Sequence, residues 1–127
     1  MILIIGGCYQ GKTTFAKNEF NLKHTDIISG ENINIENLKN IKCIDNLHLF
    51  IKKCLLGNID VTYEIEKIKN INKEIIFICD EVGSGIVPMG KEERVYRDLV
   101  GSVCCNLAKD SEKVIRMFAA IPTVIKG

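Results

Sequence analysis

The chain has 127 residues and a mass of 14.2 kDa, the size of one ordinary domain, so a single domain over residues 1–127 is expected. Hydrophobic residues make up 46% and charged residues 26%, which excludes a disordered or fibrous chain. Seventeen Lys+Arg against sixteen Asp+Glu leave a net charge of +1, so no nucleic-acid or membrane partner is expected and any phosphate recognition must be local.

Met1 to Ile5 is an unbroken apolar run that stops at a glycine pair, and it predicts a first strand buried on both faces. A helix should start near Lys12 and run to about Phe20, with Phe15, Ala16 and Phe20 on one face. Asp26 to Ile28 predicts a brief second strand. After a polar, Asn-rich stretch, Ile41 to Ile44 predicts a third strand ending in Asp45, and Leu47 to Leu56 a helix. Between Thr62 and Lys73, Ile65, Ile68 and Ile71 mark the packed face of another helix. Ile75 to Cys79 is the clearest interior strand, stopping at Asp80-Glu81 before a loop containing Gly83, Gly85 and Pro88. From Lys91 to Lys109, Val95, Leu99, Val103 and Leu107 recur every four residues and predict a helix whose apolar stripe drifts around its axis. Val114 to Ala119 and Thr123 to Ile125, beyond Pro122, predict closing strands. Apolar strands alternating with helices imply an α/β domain with a mostly parallel sheet.

The six cysteines form no C-x-x-C pair and no spacing suited to a zinc site. Most lie in apolar runs, as small buried hydrophobes do. With no basic segment and cleavable apolar core at the N-terminus, reduced thiols in a cytoplasmic protein are expected. Cys104 and Cys105 are adjacent on a predicted helix and should point in different directions, which favours a structural role over vicinal-thiol chemistry.

The chemistry is concentrated in Gly6-Gly7-Cys8-Tyr9-Gln10-Gly11-Lys12-Thr13, which fits G-x-x-x-x-G-K-[ST] between a strand and a helix. Such a loop, with Thr14 beyond it, lets main-chain amides converge on phosphate oxygens. Lys12 supplies a cation, and the Thr13 hydroxyl can ligate Mg²⁺ accompanying ATP or GTP. An acid near the metal is required, and Asp45 and Asp80 both stand at strand ends, with Glu81 beside the second. Both acids would face the nucleotide if their strands flank the first. Asp45 could instead be a helix N-cap. Arg94 and Arg97 could contact a phosphate, or sit on an exposed helix face with Glu93 and Asp98. His24 and His48 lack a neighbouring nucleophile and read as surface or packing residues.

Gly6-Gly7 with Gly11-Lys12-Thr13, then Asp80-Glu81-Val82-Gly83-Ser84-Gly85-Ile86-Val87-Pro88, then Tyr96-Arg97-Asp98-Leu99-Val100-Gly101, resemble the bifunctional cobinamide kinase / cobinamide-phosphate guanylyltransferase family of cobalamin biosynthesis. Ile44-Asp45-Asn46-Leu47 matches the family's strand-acid segment more weakly. The resemblance implies a RecA-like P-loop NTPase fold, ATP or GTP as donor, a cobinamide-type acceptor near Gly83 and Gly85, and a homo-oligomer, often a trimer. The family's guanylyl-accepting histidine has no counterpart in context: His24 precedes the second strand and His48 follows the acid. Cys104-Cys105 replaces the family's Asn-Gln pair, and Asp80 its Asn. Phosphorylation of a cobinamide-type hydroxyl is therefore the leading expectation. A nonenzymatic nucleotide-binding relative and another small-molecule P-loop kinase are the alternatives.

Overall fold

The computed structural model describes residues 1–8, 10–82 and 90–127. Tyr9 and the predicted acceptor loop, with Gly83 and Gly85, lie outside the described residues. Six strands form one sheet in the order β2-β3-β4-β1-β5-β6. They are β1 (Ile2–Gly6), β2 (Ile27–Ser29), β3 (Cys43–Asp45), β4 (Ile76–Asp80), β5 (Lys113–Phe118) and β6 (Ile121–Lys126). The first five run parallel, and β6 turns back antiparallel on β5.

The helices are α1 (Lys12–Glu19), α2 (Leu47–Leu56), α3 (Val61–Ile71) and α4 (Lys91–Asp110). Their faces follow from the direction in which the chain travels along the sheet. From β3 to β4 by α2 and α3, and from β4 to β5 by α4, it moves toward β6. From β1 to β2 by α1 it moves the opposite way. Crossovers between parallel strands are right-handed, so opposite directions put α1 on one face and α2, α3 and α4 on the other. The buried side chains divide accordingly: Leu3, Ile44, Phe77 and Val114 pack with Leu47, Ile51, Ile65, Val103 and Leu107, whereas Ile4, Ile78, Ile115 and Met117 pack with Ala16.

The helix limits follow the predicted ones closely, but two stripes differ. On α4, Val95 is exposed; Tyr96 and Leu99 are half-buried against the core, and full burial begins at Val100. On α3, Ile71 is 39% exposed while Val61 is buried, because the helix begins earlier, capped by Asp60 accepting from the Thr62 and Tyr63 amides. The Asn-rich stretch after β2 is not featureless: 3-10 turns span Gly30–Asn32 and Ile35–Asn40, with Leu38 fully buried, and a further 3-10 turn, His24–Asp26, leads into β2. The last strand starts at Ile121 and includes Pro122, which an edge strand tolerates. Cys43, Cys54 and Cys79 are buried, Cys104 is half-buried, and Cys8 and Cys105 are exposed. The neighbouring thiols on α4 thus face different surroundings.

Candidate functional site

The carboxyl ends of β1, β3 and β4 and the start of α1 meet at an open cleft of about 220 Å³, lined by Cys8, Gln10, Gly11, Lys12, Thr13, Thr14, Asp45, Asn46 and Asp80. The local chain conformation explains why a loop forms here. Gly6 ends β1 so close to β5 that a Cβ on it would stand 2.7 Å from the Met117 carbonyl oxygen. Gly11 takes φ 81°, ψ 19° at the N-cap of α1, a left-handed turn that costs glycine nothing. The first α-helical bond runs from the Phe15 amide to the Gly11 carbonyl, so the amides of Lys12, Thr13 and Thr14 have no carbonyl a turn back and are available to an anion.

Lys12 is buried at the foot of this cleft, 6% exposed. Its ammonium donates to the Gly7 carbonyl at 2.7 Å and pairs with Asp80 Oδ1 at 2.7 Å. The Thr13 hydroxyl donates to Asp45 Oδ2 at 2.7 Å, and Asp45 Oδ1 accepts from the Asn46 amide at 2.7 Å. Asp45 is therefore not the N-cap of α2. Asn46 holds that place in a left-handed conformation, its side chain donating to Ser29 Oγ at 3.3 Å. The strands of the two acids do not both flank β1: β4 is its neighbour, with Asp80 in register with Gly6, while β3 lies one strand farther out. Asp45 reaches the loop nonetheless, through Thr13.

The sequence reads His48 as a surface or packing residue; the structure buries it, and against one of the candidate acids. Only 9% exposed, its ring lies against Asp80: Nδ1 accepts from the Asp80 amide at 3.3 Å, and Nε2 stands 3.4 Å from Asp80 Oδ2. Burial lowers its pKa, and nearby Lys12 adds to that, against an opposing pull from Asp80. The ring is thus neutral at pH 7 with its proton on Nε2, facing the carboxylate. The Tyr96 hydroxyl donates to the His48 carbonyl at 3.0 Å and ties the start of α2 to α4; burial pushes that phenol up to about 12, so it stays a donor.

Other expected site residues lie elsewhere. Glu81 faces away from Lys12 toward β5, where its carboxylate takes two bonds from Arg116, at 3.0 and 3.2 Å, while its amide donates to the Gly6 carbonyl. Arg94 and Arg97 lie in the first two turns of α4 and do not line the cleft, and Arg94 is exposed. His24 is exposed at the start of β2, the end of the sheet opposite the cleft. Among the described residues no helix is long and apolar enough to cross a membrane, and no three His, Cys, Asp or Glu gather as a metal cluster.

No curated protein matches the chain in sequence. A family model, "cobinamide kinase / cobinamide phosphate guanyltransferase", matches residues 23–125. That match begins after the G-x-x-x-x-G-K-[ST] stretch, so motif and family are separate observations: the family is one of P-loop NTPases, and the motif follows β1 of a mostly parallel sheet. With the greater part of its length matched, the chain belongs to the cobinamide kinase / cobinamide phosphate guanyltransferase family of nucleotide-using transferases in cobalamin biosynthesis.

Proposed function

We propose that the chain is the kinase of this pair of activities: it binds ATP or GTP at residues 6–13 and transfers the γ-phosphoryl group to a hydroxyl of a cobinamide-type acceptor. The observation that carries this reading is the pairing of both loop side chains with strand-end acids, Lys12 with Asp80 and Thr13 with Asp45. In the transfer, the bond from the γ-phosphorus to the bridging oxygen breaks and the acceptor oxygen bonds to phosphorus. The nucleoside diphosphate leaves, and the hydroxyl proton passes to Asp80 and on to water. Lys12 exchanges its contacts with Asp80 and Gly7 for the phosphate oxygens, and in doing so releases the carboxylate that receives the proton. The hydroxyl and carboxylate oxygens of Thr13 and Asp45 are the hard donors that suit Mg²⁺, and they are the residues that would hold it. Bound there, the ion would offset phosphate charge. A neutral His48 keeps Asp80 turned toward the cleft.

Guanylyl transfer through a histidine has less support. The chain has two histidines: His24 is at the opposite end of the sheet, and both ring nitrogens of His48 are directed at Asp80. Incubation of the purified protein with Mg²⁺, ATP or GTP and cobinamide should yield cobinamide phosphate and nucleoside diphosphate. Nucleotide binding without phosphorylated product would point instead to a binding protein. Acid-labile label on histidine from α-labelled GTP would restore the guanylyl step.

A further inference from the structure

Strands β5 and β6 are joined by a two-residue turn, Ala119-Ala120, with Phe118 paired to Ile121. Both alanines are left-handed, φ 49° and 63°, in a turn that ordinarily takes Asn-Gly or Gly-Gly because a β-carbon is crowded there. This tip does not stand free in solvent. The Ala119 amide donates to Gln10 Oε1, and the Ala120 methyl carbon lies 3.5 Å from where a Cβ on Gly11 would stand. At the other end of the hairpin, Lys126 Nζ donates to the last carbonyls of α4, those of Ala108 and Lys109, at 3.0 and 2.8 Å. Every residue of β6 is exposed, so this outer strand is held by its ladder to β5 and by its two ends rather than by side chains in the core. Gln10 in turn folds back across the loop, its Cγ and Nε2 3.5 and 3.7 Å from the position a Gly7 Cβ would take, and it lines the cleft.

We infer that Gln10 is a positioning residue of the phosphate loop. Its carboxamide oxygen ties the loop to the hairpin tip, and that tie leaves the carboxamide NH₂ over Gly7, in the cleft, as a donor to a phosphate oxygen. The unfavourable alanine turn is held in place by the same contacts. Occupancy of the loop and the conformation of the hairpin are therefore coupled in both directions. No residue of α1, β3 or β4 supplies this tie; it comes from the hairpin on the far side of β1.

The inference rests on the nucleotide reading above, and the test separates the two. Binding of Mg-ATP and Mg-GTP to the full chain is measured by calorimetry for wild type, Lys12→Ala, Gln10→Ala and Gln10→Glu, with hydrogen exchange of the Ala119 amide followed by NMR without nucleotide. Gln10→Ala should weaken binding about tenfold, as loss of one bond to a charged group does, and should speed exchange at Ala119. Gln10→Glu keeps the acceptor and loses the donors, so it should protect Ala119 yet bind at least as weakly. Wild-type affinity in Gln10→Ala, or unchanged exchange at Ala119, overturns the positioning role alone. Wild-type protein that takes up neither nucleotide overturns the reading beneath it, and this role with it.

Discussion

The phosphate loop is gripped from two sides by unlike means. On the side of β3 and β4 the partners are charged and short: Lys12 with Asp80, Thr13 with Asp45, and a buried imidazole behind Asp80. On the side of β5 and β6 they are neutral: one amide bond to Gln10 and the Ala120 methyl facing the side of Gly11 where a β-carbon would stand, from a hairpin whose outer strand is exposed along its whole length. On the proposed reading, the charge that a triphosphate would displace sits on the first side, and the geometry that need only be kept sits on the second. Substitutions on the acid side should therefore change chemistry and ion dependence, and those on the hairpin side affinity and stability.

Lys12→Ala should give the largest effect on binding, a loss of nucleotide affinity of about a hundredfold by calorimetry, since Lys12 is the cation buried at the foot of the cleft. Near-normal binding in that variant would place the triphosphate elsewhere. Asp80→Asn separates binding from transfer: turnover should fall roughly a hundredfold or more, while nucleotide binds at least as tightly, because Lys12 no longer has a competing carboxylate. If affinity and turnover fall together, Asp80 serves binding and not the proton. Asp45→Asn should instead raise the Mg²⁺ concentration for half-maximal activity about tenfold, a shift that Asp80→Asn should not match.

His48 gives this side its pH dependence. Its folded-state pKa lies below the unfolded value of about 6.5, so the unfolded chain takes up the proton first as pH falls. The contribution to stability is complete above that value and is lost as pH drops from there toward the folded pKa. Denaturant midpoints measured from pH 7.5 down to 5 should fall for wild type and fall less steeply for His48→Gln. Parallel slopes in the two proteins would mean that the ring titrates in the fold as it does in the unfolded chain.

Much of this arrangement is legible in residue order. β1, α2 and β4 announce themselves by apolar runs and periodicity, and the loop by its glycines. The 3-10 turns at 24–40 carry no period for a pattern to catch, although Leu38 fills the core there. His48 escapes a reading by pattern because its partner is 32 positions away and its neighbours Leu47, Leu49, Phe50 and Ile51 are all apolar. The one available hint is its spacing of three from Asp45, which puts it in the first turn after a strand-end acid. Adjacency to Asp80 points Glu81 into the site, yet successive residues of extended chain point opposite ways, and Arg116 on β5 takes its carboxylate. The β5–β6 turn is the least visible, since Ala-Ala lacks the glycine or asparagine by which hairpin turns are recognised.

That turn yields the smallest effect and the sharpest contrast with the acid side. An alanine in the left-handed region is disfavoured by roughly 1–2 kcal/mol; replacing it with glycine relieves that strain but gives back about 0.4–1 kcal/mol through the freer unfolded chain. Ala120→Gly combined with Ala119→Asn should therefore stabilise the protein by about 1 kcal/mol net, raising Tm by about 4 °C in a domain of this size. The main-chain amide at position 119 survives the substitution and still donates to Gln10, so nucleotide affinity should hold within a factor of about two. A higher Tm with unchanged affinity would show that the coupling of hairpin to loop runs through the main-chain amide at position 119, which the variant keeps, and not through the alanine side chains. A higher Tm with weakened affinity would show that the Ala120 side chain beside Gly11 helps to hold the loop, because that methyl is what the glycine removes.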